Sequence, residues 1–157
     1  MVRIKKKTLK YSLSQKGVDL IASFEGFSSK PYRDSGGVWT IGFGTTYINN
    51  VKVSHGTPSV SRDQALGLLK INVRGTEKMM RKMITGVLTQ SKWDALVSLT
   101  YNIGIGNFQK SSVLKYINAG DIKKAAESFI LWNKDSTGKV LTGLVLRRKT
   151  EKALFLN

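Results

Sequence analysis

The hydrophobic period of this chain changes twice, and that change limits the fold more than any single residue does. Leu13, Val18, Ile21 and Phe24 recur at helical spacing behind Ser14, a residue type that caps helix N-termini, and Gly26 follows as a natural stop. From Phe27 to about Pro58 the pattern is different. Gly, Ser and Asn become common, and Val38-Trp39-Thr40-Ile41-Gly42-Phe43-Gly44 alternates with period two after the turn signal Asp34-Ser35-Gly36-Gly37. From Ser61 onward the period is helical again. The expectation is an α+β, mainly helical fold, with a small antiparallel sheet confined to one stretch.

The helical part divides at its own punctuation. Ser61 and Gln64 form a capping box for a long helix through Leu68, Leu69, Met79, Met80 and Met83 to about Ile84, weakened by Gly67 and Gly75. Thr89 starts the next helix, with Leu88 and Trp93 placed as a hydrophobic staple and Leu96, Val97, Thr100 and Tyr101 continuing its face. A short helix follows Ser112 and ends at Gly120. Asp121 caps another that carries Ala125, Ala126, Phe129 and Trp132. A turn over Asp135 to Gly138 precedes a last helix from about Leu144 to Phe155. Two lobes result, a small α/β lobe over about 13–60 and a helical lobe over about 85–157, joined by a linking helix over about 62–84. Residues 1–12 form a basic N-terminal arm. Such lobes leave a cleft, where ligands bind.

Composition removes whole classes of chemistry. The 157 residues contain no Cys, which excludes disulfides, thiol nucleophiles and zinc-thiolate sites, and a single His, which excludes a multi-histidine metal site. No cofactor and no metal are expected. A Ser-His-Asp hydrolase would need His55, which lies in a Ser-His-Gly-Thr-Pro loop. The Gly42/Gly44 and Gly104/Gly106 pairs lack the lysine or third glycine of a phosphate loop. No apolar run nears the ~20 residues of a membrane span, and the basic start has no apolar stretch of a secretory signal. Synthesis and folding in the cytoplasm are therefore expected. The net charge of +16 points to an anionic partner, whether nucleic acid, membrane or bacterial envelope, without choosing among them.

What remains is carboxylate chemistry, and acids are scarce, ten against 26 basic residues. Glu25 ends the first helix between Phe24 and Phe27. The negative end of the helix dipole and apolar neighbours both favour its protonated form, as a general acid requires. Position alone leaves open a tolerated surface Glu. Asp34 enters a polar turn where a carboxylate stays ionised, although an Asp bonding its own turn backbone is the commoner reading of such a position. Alternation puts Thr40, Gly42 and Gly44 on one strand face, nearly bare of side chains, and Trp39, Ile41 and Phe43 on the core face. A hydroxyl on the bare face would hold a water, although Thr is also an ordinary strand former. A proton-holding Glu and an ionised Asp in different surroundings are the parts of a glycosidase, and a carboxylate with a hydroxyl orienting water suits direct displacement with inversion.

The segment SFEGFSSKPYRDSGGVWTIGFGT resembles the catalytic segment of phage endolysins of the T-even lysozyme type, glycoside hydrolase family twenty-four. That family's pattern of Glu, eight residues, Asp or Cys, five residues, Thr is met by Glu25, Asp34 and Thr40. ALVSLTYNIGIGNF, YINAGDIKKAAESFILWNK and LTGLVLRRKTEKALF resemble the family's later helices, so the likeness runs from about Leu13 to Leu156. The resemblance implies a lysozyme-like two-lobed fold and a muramidase cutting the β-1,4 bond between N-acetylmuramic acid and N-acetylglucosamine. Glu25 would protonate the leaving oxygen, and Asp34 and Thr40 would position the attacking water. Gly42 and Asn102 would line the substrate site, and Arg147 or Arg148 would face the catalytic Glu. The implied partner is the peptidoglycan glycan strand, met by a monomer that a separate holin admits to the wall. Two rivals compete. A nucleic-acid binder would want exposed aromatics among its basic residues, whereas Trp39, Phe43, Trp93 and Trp132 fall on apolar faces, so no nucleic acid is expected. A cationic membrane-active protein would use the last helix, where Arg147, Arg148, Lys149 and Lys152 accompany Leu144, Leu154 and Phe155. Envelope contact through that helix and the basic arm is the compatible form of this idea.

Overall fold

The computed structural model describes residues 11–157, so the basic arm lies almost entirely outside the described residues. The chain is mainly helical with a small antiparallel sheet, as the change of period requires. It forms two compact units, one of Val18–Gly75 and one of Thr76–Asn157 with the described residues up to Gly17.

In the first unit, α1 (Gln15–Glu25) buries Val18, Ile21 and Ala22. Ser14 caps it, its Oγ accepting from Gly17 N at 3.2 Å. Gly26, at φ 70°, ends it in the left-handed conformation that favours glycine. Strands β1 (Ser28–Arg33) and β2 (Trp39–Gly42) pair antiparallel, with Ser28 opposite Gly42, Tyr32 opposite Thr40 and Arg33 opposite Trp39. The register shifts between Ser28 and Tyr32, where Pro31 has no N–H to give a ladder. A second ribbon pairs β3 (Tyr47–Ile48) with β4 (Val51–Lys52) across Asn49 and Asn50, both at positive φ as a tight hairpin turn demands.

Helix α2 (Arg62–Met83) opens with the expected capping box. Ser61 N donates to Gln64 Oε1 at 2.8 Å, and Gln64 N donates to Ser61 Oγ at 3.1 Å. Its Ala65, Leu69 and Val73 join Ile41, Phe43 and Val53 in the core of the first unit.

In the second unit, α3 (Gln90–Ile103) is the central element. Every residue from Trp93 to Thr100 is buried, as for a helix enclosed on all sides. Thr89 caps it through Lys92 N, and Leu88 is buried as the staple requires. Three short helices follow: α4 (Ile105–Lys110), α5 (Ser112–Asn118) and α6 (Ile122–Ser128). The sequence reading missed α4, which is a turn and a half between Gly104 and Ser111. Asp121 caps α6 through Lys124 N at 3.1 Å. That helix tightens into a 3-10 turn at Phe129–Leu131, so Phe129 and Trp132 lie beyond its end and not on it. Helix α7 (Thr142–Leu156) closes the unit against α3.

Candidate active site

Glu25, Asp34 and Thr40 reach one neighbourhood through the β1–β2 hairpin. Glu25 is the last residue of α1 and is half-buried, and the turn at Gly26 leads the chain directly into β1. At the far end of β1 the backbone turns through Asp34, whose N–H donates to Val38 O at 2.9 Å while its carbonyl accepts from Gly37 N at 2.9 Å. The side chain finishes the turn. Asp34 Oδ1 accepts from Gly36 N and from Val38 N, each at 2.9 Å. Asp34 is thus the turn-forming residue that its position suggested, and one carboxylate oxygen is spent on backbone. Its Oδ2 takes no hydrogen bond from the described residues and is left for solvent or ligand.

Thr40 is tied to the same turn from the other side. Its Oγ1 donates to Val38 O at 2.9 Å, so both Asp34 and Thr40 are fixed on the two polar groups of Val38. With its only proton given to that carbonyl, the Thr40 oxygen meets any further partner as an acceptor.

The residue that joins the three is Tyr32. It stands opposite Thr40 in the ladder. Its phenol is pushed above the ordinary value of 10.0, first by burial and then by the negative charges of Glu25 and of Asp34. The sequence offered a signal for it, since Tyr32 lies in the Pro-Tyr-x-Asp stretch, but the residue was not singled out.

The bare strand face does not exist in the expected form. Thr40, Ile41 and Gly42 are all buried, and Trp39 is only half-buried. At Gly42 the space on the missing side chain is filled. A Cβ there would stand 3.0 Å from the Ala65 Cβ on α2, and Gly42 has φ +65°. Its bareness reflects helix-to-strand packing, which corrects the inference of an open ligand-facing strand surface. His55 is exposed and meets the Trp39 ring edge-on at 5.8 Å, which is ring packing of a loop residue. No group of three or more His, Cys, Asp or Glu suited to a metal occurs among the described residues.

Two expected residues lie in the second unit. Asn102 is exposed near the end of α3, and its Oδ1 accepts from Arg148 Nη2 at 2.8 Å. Arg147 and Arg148 are buried, which the reading of α7 as a basic amphipathic surface helix did not foresee. Both pair with Glu151, Arg147 Nε at 3.2 Å and Arg148 Nε at 2.8 Å. Two of the four cations counted on for an outward basic face are therefore turned inward. No described helix is long and apolar enough to cross a membrane.

With this geometry in place, residues 22–151 match the family described as phage lysozyme. This chain belongs to the phage lysozyme family. It is 42% identical over 147 residues to the endolysin of Bacillus phage B103, spanning 92% of this chain but only 54%, about half, of that curated relative. Among solved structures, the endolysin from Escherichia coli O157:H7 phage FAHEc1 superposes with a TM-score of 0.87 at 39% identity, covering 94% of this chain and 95% of that one. The muramidase domain of SpmX from Asticaccaulis excentricus superposes at 0.83 with 34% identity, covering 94% and 99%.

In this member of the family the sequence left unread a second set of acids. Glu151 is fully buried. Burial pushes its carboxyl upward, while Arg148, Arg147 and a hydrogen bond from Ser98 act in the opposite direction. Glu77 accepts from Trp93 Nε1 at 2.6 Å and Leu13 N at 2.8 Å, and Asp94 holds Ser14. These carboxylates are structural, and nothing in their local spacing announced it.

Proposed function

We propose that this chain is an endolysin that hydrolyses peptidoglycan to lyse bacterial cells, a lysozyme of the T-even type that cuts the β-1,4 bond from N-acetylmuramic acid to N-acetylglucosamine. The observation that carries the reading is the β1–β2 hairpin, which follows Glu25 directly and fixes Asp34 and Thr40 on the same residue, Val38. Membership of the phage lysozyme family supports it, as do relatives named endolysin and muramidase.

The chemistry follows from what each group has left to offer. Glu25, on the end of a helix, protonates the glycosidic oxygen as it leaves. A water bound between Asp34 and Thr40 gives one hydrogen to Asp34 Oδ2 and the other to Thr40 Oγ1, since both oxygens meet it as acceptors. Its lone pair is then turned toward the anomeric carbon, and Asp34 takes the proton as attack proceeds. The bond from water oxygen to carbon forms as the bond to the leaving oxygen breaks, with inversion. The enzyme acts as a monomer on a glycan strand, waits in the host cytoplasm, and reaches the wall when a holin opens the membrane.

The test is Glu25→Gln. It keeps the shape of the side chain and removes the proton donor, so the fold is retained and clearing of purified peptidoglycan falls about 10²- to 10⁴-fold. A folded Glu25→Gln protein that clears purified peptidoglycan at the parent rate overturns the proposal. Following the anomer first released from soluble glycan decides the stereochemistry.

A further inference from the structure

The first unit holds a cavity that the proposed chemistry does not use. Its volume is about 560 Å³, in the range of small-molecule sites, and none of Glu25, Tyr32, Asp34 and Thr40 lines it. Three local structures make its walls. The β3–β4 ribbon turns tightly at Asn49 and Asn50, and Val53 N closes it by donating to Thr46 O at 2.8 Å. The loop beyond is folded on itself, with Ser54 N donating to Thr57 Oγ1 at 2.9 Å and Thr57 N to Ser54 O at 3.1 Å. Val60 N then ties the chain to Ser29 O of β1 at 2.9 Å, just before the capping box of α2.

The lining selects a ligand class by what it offers. Its apolar residues are Ile48, Val51, Val53, Pro58 and Val60, all aliphatic. No aromatic ring is among the lining residues, so a nucleobase finds no stacking platform. A sugar, with a hydroxyl on almost every carbon, would leave most of them unpaired against such walls. Val51 stands 69% exposed on the ribbon, an aliphatic side chain left open beside the cavity it lines. Lys52 is the one ionisable residue of the lining, and no carboxylate accompanies it. Gln64 uses its Oε1 to accept from Ser61 N, which leaves its NH2 as a donor. A fitting ligand has a hydrocarbon body and a negatively charged acceptor head.

We propose that this cavity binds a free single-chain aliphatic carboxylate, with the chain laid on the aliphatic wall and the head at Lys52 and the Gln64 amide. The wall is apolar where a hydrocarbon gains most from leaving water, and its only charge has the sign that a carboxylate needs. The inference stands apart from the glycosidase reading. It uses none of the residues of that site, and every residue lining the cavity belongs to the Val18–Gly75 unit.

The test is calorimetric titration of the full chain with sodium octanoate and sodium decanoate, both below micelle formation. One decanoate binds per chain, and its two further methylenes lower Kd about 10-fold relative to octanoate. Decyltrimethylammonium, with a chain of the same length and the opposite charge, binds about 2- to 10-fold more weakly than decanoate. Lys52→Glu inverts that order. Val51→Ser cuts back the aliphatic wall without adding charge and weakens both ten-carbon amphiphiles about 3-fold or more. Both residues are exposed, so both variants keep the parent melting temperature. A net charge of +16 attracts anions everywhere, so the variants decide the matter. Several weak decanoate sites that Val51→Ser leaves untouched overturn the inference. Equal affinity for octanoate and decanoate, or a charge preference unchanged in Lys52→Glu, overturns it too. Binding to phosphatidylglycerol vesicles with none to decanoate also overturns it and assigns the wall to a membrane surface. None of these readouts involves clearing of peptidoglycan, so failure here leaves the glycosidase reading where it stands.

Discussion

Gly42→Ala separates two reasons for a glycine that the sequence alone merges. At φ +65° an L-residue carries the cost of the left-handed region, roughly 1–2 kcal/mol. The new methyl would also stand 3.0 Å from the Ala65 Cβ and 3.5 Å from its Cα, inside ordinary carbon contact. Overpacking of that kind adds about 1–3 kcal/mol. The expected loss is therefore about 2–5 kcal/mol, within what a domain with roughly 5–15 kcal/mol survives folded. Ala65→Gly alone costs about 1 kcal/mol in helix propensity, plus about 0.8 kcal/mol for the buried methyl. Combining the two removes the methyl-to-methyl contact but not the backbone strain. The double variant should therefore be more stable than the sum of the singles by about 1–3 kcal/mol. Urea unfolding followed by circular dichroism measures all four proteins. A Gly42→Ala loss under about 0.5 kcal/mol, or additivity within about 0.5 kcal/mol, refutes the packing account of this position.

Two further outcomes are open to direct measurement. Tyr32 should titrate above 10.0, and Glu25→Gln with Asp34→Asn should bring it down only part of the way, because burial is the larger cause and persists. Since the folded value exceeds the unfolded one, the stability linked to this phenol is in place below pH 10 and is lost as pH rises through the folded value. Phenolate absorbance, differenced against Tyr32→Phe, reads the shift, and an identical titration in the double variant would contradict the placement of the carboxylates. Glu77→Leu strands the Trp93 indole N–H and the Leu13 N–H, while Arg81 keeps Tyr11 O and Ser12 Oγ, so at roughly 1–3 kcal/mol for each stranded donor it should destabilise by about 2–5 kcal/mol. A loss below about 1 kcal/mol in chemical denaturation would mean that those donors find water instead.

The elements legible in the sequence were those whose signals are local. Ser14, Ser61, Thr89 and Asp121 cap helices through backbone N–H groups three residues on, and Gly26 and Gly120 end theirs at positive φ. Such contacts depend only on near neighbours in the chain. Helix α4 was missed because six residues between Gly104 and Ser111 show too little of a 3.6-residue period to register. The end of α6 was overrun because Phe129 and Trp132 continue an apolar spacing that a 3-10 turn also satisfies.

The site divides along the same line. Asp34 and Thr40 are fixed on Val38, at four and two residues' distance, so the hairpin that places them is written in one short segment. Glu151 is different. Its carboxylate is held by Ser98, 53 positions away, and Arg148 beside it donates to Asn102. Composition alone makes Arg147 and Arg148 ordinary exposed cations, as most arginines are, and only the family resemblance expected one of them to face a carboxylate. The packing of α7 on α3 turns them inward, and the acid at position 151 pairs with both there. In a chain with ten acids against 26 bases, an acid seated between two arginines is the more informative side of the pair. Surplus cations need no explanation beyond solvent, whereas each buried carboxylate here is matched to donors that would otherwise be stranded. Scarcity of acids therefore marks where this fold is held. The sequence shows that the acids are few, and the structure shows what Glu77, Asp94 and Glu151 hold: an indole and a backbone N–H, the start of the first helix, and Ser98 with two arginines.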